Sequence, residues 1–146
     1  YTTVTGVTVP TIPFSLLIPA NTYDAVDGFS LTVGINKTST ATTVNYNLFH
    51  DTTLNGTTNA IATAITLSTT NRGSAYQRIL NLFGGIAYNT VASGNTNLTP
   101  FASASATPTS TTFDTTVNNF ITLQISGLTV VAESSSVTLS IQPLKG

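Results

Sequence analysis

Gly28-Phe29-Ser30-Leu31-Thr32-Val33-Gly34-Ile35 alternates apolar with small or polar residues without a break, and that period of two decides the fold. Successive side chains of a strand point to opposite faces, so Phe29, Leu31, Val33 and Ile35 make one apolar face and Ser30, Thr32 and Gly34 the other. Asp27-Gly28 in front and Asn36-Lys37-Thr38 behind are turn chemistry. The same period recurs outward in both directions. Upstream, Ile12, Phe14, Leu16 and Ile18 share a face before the turn Ala20-Asn21-Thr22-Tyr23-Asp24. Downstream, Val44, Tyr46 and Leu48 do so, followed by the turn signal Asn55-Gly56 and by Ile61, Thr63, Ile65 and Leu67. Tyr76 to Phe83 reads as a further strand stopped by Gly84-Gly85, with Ile86 to Val91 as its continuation or hairpin partner. Ala92 to Thr112, rich in Ser, Thr, Asn and Pro, reads as a long loop. Ile121, Leu123 and Ile125, then Val137, Leu139 and Ile141, mark the last two strands.

Helix signals are poor, because Thr, Val, Ile and Asn have branched or backbone-competing side chains. Only 71–82 competes, with Ala75, Ile79, Leu82 and Phe83 at helical spacing, and Gly73 and the Thr-rich flanks favour a strand there too. About eight strands with regular turns predict an all-β antiparallel sandwich, an eight-stranded jelly roll. One domain is expected over 11–146, with 1–10 an N-terminal arm or the first strand.

Charge is scarce: four Lys or Arg and five Asp or Glu in 146 residues, where a soluble domain devotes about a quarter of its residues to charge. Thr, about one residue in five, takes over the solubilising role. A net charge of −1 gives no footprint for a phosphate backbone, so no nucleic-acid partner is expected. Cys is absent, which removes disulfides and thiolate metal sites, and no apolar run approaches a membrane span. Tyr1 is not an initiator Met, and is expected to follow a removed leader, a maturation cleavage or a trimmed end. Unpaired strand edges recruit other chains and are normally blunted by charge. Nine charges are too few for that, so a homo-oligomer is expected.

Few residues are equipped for catalysis, and no catalytic residue, metal or cofactor is assigned. His50, the only histidine, adjoins Asp51, but neighbours on a strand face opposite sides, which makes an Asp–His relay awkward. Asp24 and Asp27 are the only close carboxylate pair, and Asp27-Gly28 reads as a turn, without the alternating ligands of a calcium loop. Arg72 and Arg78, the only arginines, with Tyr76, form a candidate polar patch for a carboxylate or sugar, against the plainer reading of an interface or strand-pairing role. Asn36, Asn55 and Asn97 head Asn-x-Thr sequons at expected loops. The Thr/Val alternation of 1–9 is able to add a strand to another sheet, ending at Pro10, which has no amide to donate. Thr3, Val4, Val7 and Val9 are its candidate contact residues, and the competing reading makes the same segment the first strand of its own sheet.

A resemblance enters on three stretches. Ile12-Pro13-Phe14-Ser15-Leu16-Leu17-Ile18-Pro19-Ala20-Asn21-Thr22 leading into Asp27-Gly28-Phe29-Ser30-Leu31-Thr32-Val33 resembles the opening of small jelly-roll proteins of tailed bacteriophage virions. Thr70-Asn71-Arg72-Gly73-Ser74-Ala75-Tyr76-Gln77-Arg78-Ile79-Leu80 is similar to their arginine-bearing middle strand. Phe113-Asp114-Thr115-Thr116 with Ile121 to Ile125 and Val137 to Ile141 is similar to their last two strands. The resemblance implies a non-enzymatic capsid decoration protein, head fibre or tail-fibre knob on the virion exterior. It also implies a trimer packed like the tumour-necrosis-factor fold, partnered by other virion proteins and able to contact host-surface glycan. The alternative is an extracellular or cell-surface filament subunit, pilus-like, assembled by strand donation. A carbohydrate-binding module is disfavoured by the lack of Trp, and a hydrolase comes last.

Overall fold

The computed structural model describes residues 1–6, 9–24, 26–38, 43–67, 73–83, 86–89, 109–128 and 134–145, with 62–66, 73–78, 83, 86–89 and 109–111 described by backbone alone. Among them the chain is all-β and forms a β-sandwich of two antiparallel sheets. Its strands are β1 (Thr2–Thr5), β2 (Thr11–Ile18), β3 (Gly28–Lys37), β4 (Val44–Asp51), β5 (Asn59–Leu67), β6 (Gly73–Phe83), β7 (Ile86–Asn89), β8 (Thr109–Thr112), β9 (Asn119–Ser126) and β10 (Ser134–Leu144). One sheet runs β1-β10-β3-β6-β7-β8 and the other β2-β9-β4-β5.

The pairings are nested: β1 with β10, β2 with β9, β3 with β6 and β4 with β5. Chain ends therefore pair with each other, and the middle folds inside them. Two further pairings, β10 with β3 and β4 with β9, join these pairs into the two sheets, and β7 and β8 extend the larger one beyond β6.

Alternation puts the expected residues inside. Phe29, Leu31, Val33, Val44, Tyr46, Leu48, Ile121, Leu123 and Ile125 are all fully buried, and Ile35 and Ile61 nearly so. Phe14, Leu139 and Ile141 pack against this core but stay partly exposed. Tyr46 keeps its ring in the core because its hydroxyl meets Ser135 Oγ at 2.7 Å, satisfying both buried groups.

Two expectations change, at Thr109–Thr112 and at Asn36. Thr109–Thr112, expected to be loop, is strand β8, paired along β7 and lying close to β5. Its Thr and Ser residues carry no apolar alternation, so pairing rather than burial makes it a strand. β6 spans Gly73–Phe83, so the 71–82 segment is extended where described, and Phe83 opposite Ile86 makes β7 its hairpin partner. The segment Thr2–Thr5 pairs with β10, which is the first-strand alternative for 1–10. Asn36 lies inside β3 and not in a loop, since β3 keeps pairing with β10 through Lys37.

Candidate functional site

His50 and its neighbours, at one end of the sandwich, form the most elaborate polar cluster among the described residues. β4 pairs with β9 so that His50 stands opposite Ile121 and Asp51 opposite Phe120. Since Leu48 and Ile121 face the core, His50 points inward, where only 2% of it is exposed, and Asp51 points to the outer face. The two side chains thus serve different networks, as adjacency on a strand requires.

His50 Nε2 lies 2.6 Å from Asn119 Oδ1. Asn119 Nδ2 donates to the carbonyls of Asp114 and Val117, at 2.8 and 2.9 Å, which fixes the amide orientation and leaves Oδ1 as an acceptor. Nε2 must then carry the proton, and a neutral ring has its lone pair on Nδ1. That atom is buried with no hydrogen-bond partner. The imidazole stacks on Phe113, centroids 4.8 Å apart, and Phe113 packs in turn on Phe29, and Phe29 on Tyr23. Burial pushes the His50 pKa below its ordinary value, against the opposing pull of the Asn119 hydrogen bond and the Asp51 charge.

Asp51 organises the turn that follows. Its Oδ1 accepts from Thr53 N and Oγ1, at 2.9 and 2.8 Å, and its Oδ2 from Thr58 N at 3.2 Å. These hydrogen bonds, from Thr58 and Thr53, hold the carboxyl far below the usual carboxylate range. Asn55 takes a left-handed φ of 62°, and its amide donates to Ser15 Oγ at 3.1 Å. Ser15 Oγ also meets Thr122 Oγ1 at 3.2 Å. Since Ser15 belongs to β2, two strands away, the 52–58 turn lies across the outer face of β9, and this explains why outward-facing Thr122 is completely buried. A Cβ at Gly56 would fall inside contact distance of the Asp51 carboxyl. Gly56→Ala is therefore expected to cost about 1–3 kcal/mol in urea unfolding, with exchange of the 52–58 amides rising.

A second Asp-Thr-Thr turn repeats this chemistry: Asp114 Oδ1 accepts from Thr116 N and Oγ1 at 2.9 and 2.6 Å. The turn it shapes is bound to the β2–β3 loop, with Asn21 N donating to Thr115 O at 2.6 Å and Ala20 N to Asn118 Oδ1 at 3.0 Å.

The remaining candidates are scattered. Val4 is buried in the core, Thr3 Oγ1 meets Ser136 Oγ at 3.0 Å, Val9 is exposed, and Val7 lies outside the described residues. Arg72 also lies outside them. Tyr76 and Arg78 are on β6, at register positions opposite Val33 and Leu31. Asp24 and Asp27 form a turn: Asp27 Oδ2 accepts the Asp24 amide at 2.9 Å and holds Lys145 Nζ at 2.7 Å. Of the sequon asparagines, Asn55 is in the tight 52–58 turn and Asn97 lies outside the described residues. Among the described residues no group of three or more His, Cys, Asp or Glu is placed to hold a metal ion, and no helix is long and apolar enough to cross a membrane.

Sequence reasoning missed Asn119, Phe113 and Lys145 as partners, although the repeated Asp-Thr-Thr pattern at 51–53 and 114–116 marks both turns. Comparison with protein-family models, curated proteins and solved structures gives no match.

Proposed function

We propose that the protein is a non-enzymatic structural subunit that assembles with copies of itself, on the exterior of a bacteriophage particle. The observation that carries the assembly reading is the edge of β10. β3 pairs with β10 from Ser135 to Leu144, whereas β1 covers only Ser134 to Val137 on the other side. Among the described residues nothing pairs with Thr138–Leu144 along that second side. Leu139 and Ile141 are partly exposed there, while their register partners Val33 and Leu31 are fully buried. Neither β10 nor β2 contains an ionisable residue, so the edge lacks the charges that normally prevent pairing with another chain.

The nested strand pairing supports the jelly-roll reading, since a long antiparallel hairpin rolled on itself gives this order. The resemblance of the 12–33, 70–80 and 113–141 stretches to virion proteins supports the setting. Trimer formation and contact with host glycan belong to the same reading. The open β10 edge also favours a second reading, a surface-filament subunit completed by a donated strand.

Light scattering at micromolar concentration is expected to give an oligomer. Ile141→Lys, an inward charge on the edge, is expected to yield a folded monomer, with circular dichroism unchanged in shape. A wild-type monomer would count against both readings. Electron microscopy of native assemblies separates them: threefold knobs on a particle for the first, continuous filaments for the second.

A further inference from the structure

We propose that His50 is an acid-sensitive latch, whose protonation releases the 113–119 turn and the 19–24 loop that this turn holds. The neutral ring satisfies its one donor on Asn119 and leaves Nδ1, buried, facing no acceptor. A proton added at Nδ1 creates a cationic N–H with nothing to receive it, beside the ring of Phe113. A buried donor without a partner, and a buried charge above all, is strongly disfavoured. To hydrate Nδ1, the imidazole must leave the Phe113 face, and its bond to Asn119 goes with it.

Asn119 is the junction through which that movement spreads. Its amide ties together the carbonyls of Asp114 and Val117, and the same turn holds Asn21 through Thr115 and Ala20 through Asn118. Among the described residues no charged group bonds to Nδ1, and the Asp51 charge favours the proton only without contact. On β4 itself, Asp51 faces outward with its oxygens engaged by Thr53 and Thr58. Asp114, on the turn, is exposed and bonded to Thr116. β2, β5 and β9 carry no ionisable side chain. Tyr23, behind Phe29, has its pKa raised by burial and stays neutral in acid. Asp27, behind it, is held by Lys145, and Asp24 is exposed.

Because the folded state disfavours the proton, the latch is fully closed above the ordinary value of 6.5 and loosens as the pH falls from there toward the lower folded value. The opening equilibrium is expected to grow roughly tenfold per pH unit across that interval. The test follows the His50 imidazole by NMR alongside amide hydrogen exchange, corrected for intrinsic rates, between about pH 7.5 and about pH 4.5. Expected are the Nε2–H tautomer at the upper end, a titration midpoint below 6.5, and rising exchange of 113–119 and 19–24 over the same interval while the centres of β4 and β9 stay protected. A midpoint at or above 6.5 would overturn the latch, and so would a titration that leaves both segments unchanged. His50→Gln retains an amide donor toward Asn119 without titrating, and is expected to abolish the acid response. Persistence of the response in that variant would also overturn it. If the variant does not fold, the coincidence of titration and exchange in the wild type decides.

Discussion

Leu123→Ala is expected to destabilise the protein by about 2–5 kcal/mol, read as a lower midpoint in urea or heat with the same overall fold. Leu123 lies on β9, an inner strand of the four-stranded sheet, where it is opposite Phe14 on one side and Leu48 on the other. It is completely buried. Truncation removes apolar contacts, and the neighbouring strands are paired too continuously to close the gap. Leu17→Ala is the matched control: half exposed on the outer face of β2, it should shift stability by less than about 1 kcal/mol. Equal effects at the two positions would mean that the core is misassigned.

Asn119→Ala is expected to cost about 1–3 kcal/mol, because it removes the partner of three groups, one of which stays buried. The substitution strands the His50 Nε2–H donor and frees the carbonyls of Asp114 and Val117, and each buried group left unpaired costs about 1–3 kcal/mol. The carbonyls sit near the surface and can recover water, whereas the buried imidazole cannot. Asn118→Ala, next in sequence, loses only an exposed bond to Ala20 N and should stay within about 1 kcal/mol. Denaturation of both variants near neutral pH checks the contrast. A cost at Asn119 no greater than that at Asn118 would show that the amide is not the keystone of this end.

The legibility of the fold varied with how each strand is held. β3, β4 and β9 face the core on one side, so burial writes a period of two into the chain, and Phe29 to Ile35, Val44 to Leu48 and Ile121 to Ile125 were readable from it. β8 was not, because Thr109–Thr112 is selected by pairing with β7 and leaves no apolar mark. For His50, adjacency was enough to show that Asp51 faces away. Its actual partners, Phe113 and Asn119, stand more than sixty residues further along, and only the pairing of β4 with β9 brings them together. The 52–58 turn was recognisable at Asn55-Gly56. Its path over β9 to Ser15 was not, since it depends on one backbone amide reaching a side chain on β2.

Nested pairing has a consequence for how the chain comes into being. Thr2 pairs with Val137 and Thr5 with Ser134, so β1 stays unpaired until β10 has been made. β2 likewise waits for β9. Among the described strands, β4 with β5, β6 with β7 and β7 with β8 join consecutive elements. Loop closure over such separations makes folding slow, on the order of milliseconds to seconds, and the larger sheet closes only once β10 is available to join β1 to β3.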